Sequence, residues 1–149
     1  MRSRQDGFTL VEILAVLVVL AIVAGVAAAS LGARRGGDVL QATAYELASR
    51  YRAARAAAIR HAASRTVFID MARRQVSAGA DIAPLRIPDT VSVTSQTSAT
   101  EQGAPRSAGI RFRPNGASTG GKVRLETGRQ AYEVRVNWLT GRVVVERVS

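Results

Sequence analysis

The sequence predicts an α+β protein: a long amino-terminal α-helix packed on a carboxy-terminal antiparallel β-sheet or β-sandwich domain. Three observations carry this. Residues 13–32 hold no charge, apolar residues recur at steps of three and four from Leu40 to Ala58, and beyond Ser64 short stretches alternate apolar and polar residues between turn signals. A helix followed by a run of strands is the α+β order, whereas βαβ units would interleave the two.

The uncharged run of about 20 residues grows to about 25 when 8–12 are added, which crosses a hydrocarbon core of about 30 Å with some tilt. The inner half of the helix is therefore read as transmembrane, over residues 8–33. One charge stands at its head: Glu12 follows Gly7 by five positions, and the next charged residue is Arg34. A bare carboxylate in a bilayer costs about 2.5–3.5 kcal/mol on insertion scales, so an acid there implies a partner. The competing reading is an ordinary secretory signal cut after Ala27-Ala28-Ala29. Such signals have an apolar stretch of about 7–15 residues, and they give neither Gly7 nor Glu12 a role. Arg34 and Arg35, just past the run, also oppose export of the carboxy-terminal residues when set against Arg2 and Arg4 in front.

Gly36-Gly37 loosen a helix by about 1 kcal/mol each, and Asp38 is a good cap for restarting one. From there Leu40, Ala44, Leu47, Tyr51, Ala54 and Ala58 form a narrow apolar face, while Arg50, Arg52, Arg55 and Arg60 fall largely elsewhere. Residues 38–63 are read as an amphipathic helix continuing the first, with the glycines as the place for a kink. Residues 64–149 form the β-rich domain. Segments 66–70 and 75–77 read as a hairpin, Pro84 and Pro88 bracket a loop before 91–94, and 95–107 is polar and reads as a mobile excursion. Segments 110–113, 122–126, 131–136 and 143–148 alternate as half-buried strands do, with turns at Asn115-Gly116, Thr127-Gly128 and Thr140-Gly141.

Composition excludes several classes of chemistry. Among 149 residues there is no cysteine and one histidine, His61, so zinc sites and Ser-His or Cys-His machinery have almost nothing to work with. His61 reads as a solvated helix residue, and no metal or cofactor is expected. Gly116-Ala117-Ser118-Thr119-Gly120-Gly121-Lys122-Val123 nearly matches a phosphate-binding loop, but Val123 occupies the magnesium-binding hydroxyl position. Residues 122–126 also have a strand pattern, where a phosphate loop would open a helix. Glu126 and Glu133 fall on neighbouring strands among arginines rather than as an acid–base pair. The chain is not expected to be an enzyme. Its net charge of +10 favours anionic partners in general, with a solvated arginine surface as the plainer account.

The stretch Gly7-Phe8-Thr9-Leu10-Val11-Glu12 heading the apolar run resembles the class III signal of type IV pilins and pseudopilins. That resemblance implies a leader over residues 1–7, cleavage between Gly7 and Phe8 by a prepilin peptidase, and methylation of the Phe8 amine. It also implies that Glu12 serves subunit assembly by pairing with the Phe8 amine of a neighbour, much as one polar group sets register in a coiled coil. Further on, Phe112-Arg113-Pro114-Asn115-Gly116 with its glycine-rich continuation, then Asn137-Trp138-Leu139-Thr140-Gly141-Arg142-Val143, is similar to the GspH/FimT family of minor pseudopilins. Within that family the sequence most resembles the H-type of type II secretion.

The family fold is a long helix whose outer half packs on two small antiparallel sheets. The implied role is a subunit at or near the tip of a periplasmic pseudopilus that supports export of folded proteins across the outer membrane. Implied partners are other major and minor pseudopilins, the prepilin peptidase, the inner-membrane assembly platform and the membrane itself. The implied location is the bacterial inner membrane, single-pass, with the carboxy-terminal domain in the periplasm. The alternative is a FimT-like type IV minor pilin that binds DNA for uptake. Arg111, Arg113 and Arg135, at alternating strand positions, leave one basic face open to that use, although Trp138, Tyr132 and Phe112 read as core candidates rather than stacking platforms.

Overall fold

The computed structural model describes residues 10–97 and 107–148, and the side chains of these except 27–36 and 107. Helix α1 (Leu10–Arg60) is continuous over 51 residues. By internal packing the chain divides into two units, Met1–Arg35 and Gly36–Ser149.

In the first unit, every large apolar side chain from Leu10 to Val26 is exposed, from 77 % at Leu10 to 52 % at Val18. A helix that is apolar all round has no core of its own to face. Among the described residues no helix is long and apolar enough to cross a membrane; the described side chains of this run stop at Val26.

In the second unit, Leu40, Ala44, Leu47, Ala48, Tyr51, Ala54 and Ala58 are all buried, so the apolar stripe read from spacing is the packed face. The helix does not restart at Asp38, because it never stops at Gly36-Gly37. Extending an existing helix adds one hydrogen bond per residue, and two glycines do not outweigh that when the next turns are anchored by packing. The helix ends at Arg60, three residues short of expectation. Ala62 takes a left-handed φ of 48°, Ala62 N–H donates to Ile59 O (3.4 Å) and Ala63 N–H donates to Ala58 O (3.2 Å). These bonds close the helix as a Schellman turn, with alanine where glycine is usual. Without that glycine the sequence carries no stop signal at this point.

Among the described residues eight strands come after the helix: β1 (Arg65–Asp70), β2 (Gln75–Ser77), β3 (Leu85–Arg86), β4 (Ser92–Thr97), β5 (Ser107–Phe112), β6 (Gly121–Thr127), β7 (Gln130–Val136) and β8 (Val143–Val148). They form two four-stranded sheets, ordered β3-β2-β1-β5 and β4-β6-β7-β8. All pairings within these sheets are antiparallel. The chain leaves the first sheet at β4 and returns to it at β5, which ties the two sheets together. Two local expectations change. The Pro84–Pro88 loop contains the short strand β3, and Ser95, Gln96 and Thr97 are not a loose excursion but the end of β4, opposite Val123, Lys122 and Gly121. A polar strand at a sheet edge has no apolar alternation to reveal it. The remainder of the 95–107 segment, up to residue 106, lies outside the described residues.

Inner-face residues of both sheets, including Val67, Ile69, Ile110, Phe112, Val123, Leu125, Val134 and Val136, join the helix stripe in one core. Tyr51 meets Phe112 with ring centroids 6.2 Å apart at 53°, a favourable tilted geometry. Burial pushes the Tyr51 phenol up, so it stays neutral. Small residues on the helix set the spacing. A Cβ on Gly37 would lie 2.5 Å from Oε1 of Gln130, the movable end of the side chain that begins β7.

Candidate functional site

The residues singled out from sequence fall at the amino terminus. Gly7 and Phe8 lie outside the described residues. Glu12 sits in the first turn of α1, where a carboxylate complements the positive end of the helix dipole. Its neighbours Ile13, Val16 and Leu17 line a shallow apolar recess of about 320 Å³ with it. The structure thus places one acid in an exposed apolar stretch of helix.

The outer face of the β4-β6-β7-β8 sheet is ionic. Glu133 is nearly buried, accepts a hydrogen bond from Arg135 Nη2 at 2.6 Å and lies 3.5 Å from Lys122 Nζ. Arg135 also reaches Glu146 at 3.4 Å, and Arg124 pairs with Glu126. The Arg135 hydrogen bond, helped by the charge of Lys122, holds the Glu133 carboxyl below the usual carboxylate range against its own burial. A carboxylate kept ionised this way is the reverse of a general acid. Lys122, the lysine of the near-miss phosphate loop, is spent on this network from strand β6, and no helix opens after the glycines.

Arg111 and Arg135, expected to share a face, stand in different sheets, and Arg113 lies past the end of β5. Alternation marks each segment as a strand; which sheet the strand joins is not encoded in spacing.

Sequence reasoning missed a second basic region, around the β7–β8 turn. Asn137 organises this turn: its Oδ1 accepts bonds from Leu139 N–H (3.0 Å), Thr140 N–H (2.9 Å) and Thr140 Oγ1 (3.1 Å). Its backbone O accepts from Gly141 N–H at 2.9 Å and Ser118 Oγ at 3.0 Å. Trp138 O accepts from Ser118 N–H at 2.8 Å. The turn therefore holds its shape through polar bonds, and Trp138 is 65 % exposed instead of belonging to the core; Leu139 is 62 % exposed. Tyr132 packs partly buried against the core, and only Phe112 of the three aromatics is fully buried. Beside the turn, Arg55 Nε donates to Gly116 O at 3.0 Å and Arg52 Nη2 to Val143 O at 3.3 Å. With Arg142, Thr140 and Ile59 they border a groove of about 590 Å³. The available signal was the Arg52/Arg55 spacing of three, next to the buried stripe.

Residues 43–141, two thirds of the chain and nearly the whole packed unit just described, match the family described as type II transport protein GspH. The chain belongs to that family. Residues 2–28 match the prokaryotic N-terminal methylation motif. The sequence is similar to a type II secretion system protein H of Xanthomonas campestris pv. campestris, 29 % identical over 143 residues, covering 95 % of this chain and 83 % of that one. The fold is similar to that of the minor pseudopilin EpsH from the type 2 secretion system of Vibrio cholerae, with a TM-score of 0.58 at 13 % identity, covering 72 % of this chain and 96 % of that one. This GspH-family chain is a type II secretion protein with a minor-pseudopilin fold: one helix packed against two antiparallel sheets.

Proposed function

We propose that this chain is a structural subunit at or near the tip of a type II secretion pseudopilus, supporting export of folded proteins. In this reading residues 1–7 are a leader removed by a prepilin peptidase, Phe8 becomes the methylated amino terminus, and 8–33 hold the subunit in the inner membrane with 64–149 in the periplasm. Other pseudopilins and the inner-membrane assembly platform are its partners. The observation that carries the reading is the helix from Leu10 to Val26, whose large apolar side chains all face outward with one carboxylate, Glu12, in the first turn. In the bilayer that surface is at home and the carboxylate is not. When subunits stack with a stagger, a neighbour's terminal ammonium can come beside Glu12, which links charge pairing to polymerisation.

Two measurements test this. Mass spectrometry of the chain from its native host is expected to find a methylated Phe8 at the amino terminus; a start near Ser30 overturns the reading. Glu12→Ala is expected to leave cleavage intact and to reduce incorporation into pseudopili and secretion of exoproteins. Undiminished secretion by that variant removes the charge-pairing role.

A further inference from the structure

We infer that the β7–β8 turn and the arginine groove beside it form a docking surface for a protein segment that carries carboxylates next to apolar side chains. The first argument is charge. Seventeen of the 21 basic residues and nine of the 11 acidic ones lie beyond Arg35, so this unit has an excess of cations. The acids near its strands are already engaged: Asp70 with Arg73, Asp81 with Arg65, Asp89 with Arg74, and Glu126, Glu133 and Glu146 within the outer-face network. Arg52, Arg55 and Arg142 have no carboxylate partner among the described residues. Arg52 and Arg55 each spend one donor on a backbone carbonyl, which fixes the guanidinium and leaves its other N–H groups directed elsewhere. Three cations bordering one groove repel one another, and an incoming carboxylate removes that repulsion.

The second argument is the apolar content. Trp138 and Leu139 give backbone atoms to the turn's hydrogen bonds while their side chains stay exposed, and Ile59 on the helix is 47 % exposed at the groove. Arg142 and Thr140 border both this groove and a second one of about 720 Å³ that contains Trp138, Arg135 and Val144. The surface is thus continuous across the turn, with tryptophan and arginine side by side. Those are the residue types that dominate binding energy at protein interfaces. A single aromatic with aliphatic neighbours suits an acidic, partly apolar peptide better than a nucleic-acid strand, which is stacked on successive rings.

Trp138 is the sole tryptophan of the chain, so it reports directly on this surface. The full-length protein in non-ionic detergent is titrated with a short tryptophan-free peptide of alternating Glu and Leu, following the emission of Trp138. A saturable blue shift is expected, weakened about tenfold by Arg142→Gln, the loss typical of one charge-assisted contact. Arg129→Gln removes the same charge at the opposite end of β7 and is expected to change binding less than about twofold, the size of a screened surface effect. No shift, an equal loss in both variants, or an equal response to a Lys/Leu peptide overturns the proposal. Tighter binding of oligothymidine than of the acidic peptide also overturns it, in favour of a nucleic-acid surface. None of these outcomes depends on how the amino terminus is processed.

Discussion

Replacing Gly141 with alanine tests how the β7–β8 turn is seated against the helix. Gly141 has φ of 64°, and an alanine held there pays about 1–2 kcal/mol for the left-handed backbone. Gly128, in the β6–β7 turn, has φ of 56° with nothing within 4 Å of an added Cβ, so Gly128→Ala carries that cost alone. At Gly141 the added carbon would fall on the Gly116 carbonyl oxygen and within 2.7 Å of Arg55 Nε. Both atoms belong to one hydrogen bond, Arg55 Nε to Gly116 O at 3.0 Å, and backbone cannot swing aside as a side-chain end can. Relief therefore breaks a bond from a charged donor, worth about 1.5–3 kcal/mol. Gly141→Ala is expected to cost about 3–4 kcal/mol in total and to exceed Gly128→Ala by about 2 kcal/mol. Urea unfolding of the full chain in detergent, followed by circular dichroism, measures both. Equal losses would show that the turn is not wedged between Gly116 and Arg55, and the steric reasoning would fail.

Two further substitutions probe the packing and the ionic sheet face. Ala54 is fully buried on the helix face toward the sheets, so Ala54→Leu is expected to cost about 1–3 kcal/mol by overpacking, read from the same denaturation curves. An exposed-site control, Ala56→Leu, should be near neutral. Glu133 has its carboxyl pKa lowered in the folded protein relative to 4.5, so its stabilising contribution is complete above that value and fades as pH falls through the folded pKa. Glu133→Gln is therefore expected to flatten the loss of stability below about pH 4.5 that the native chain shows. An unchanged acid limb would mean that the Arg135 and Lys122 contacts do not hold in solution.

Much of this protein is legible in order along the chain. The apolar helix with its one acid comes from the length of an uncharged run, and the stripe from Leu40 to Ala58 and the strands at β1, β2, β6, β7 and β8 come from periodicity, because period 3.6 and period 2 are local properties of side-chain direction. The elements that differ are those whose signal is weak or nonlocal: a helix end capped by Ala62 without glycine, a two-residue strand between prolines, and a polar edge strand at Ser95–Thr97 whose pairing with β6 supplies its order. The allocation of strands to two sheets, and with it the separation of Arg111 from Arg135, is settled only in three dimensions, where the chain crosses from β3 to β4 and back at β5.

The same holds for the surface around Trp138. In the sequence that tryptophan comes after a buried alternating strand and reads as its next core residue. Folding turns the backbone at Asn137 instead, satisfies the turn with hydrogen bonds, and brings Arg52 and Arg55 from the distant helix beside Arg142. Local chemistry decides which segments coil and which extend. Which charges become neighbours depends on contacts across the whole chain, and these exist only once the helix and both sheets share one core.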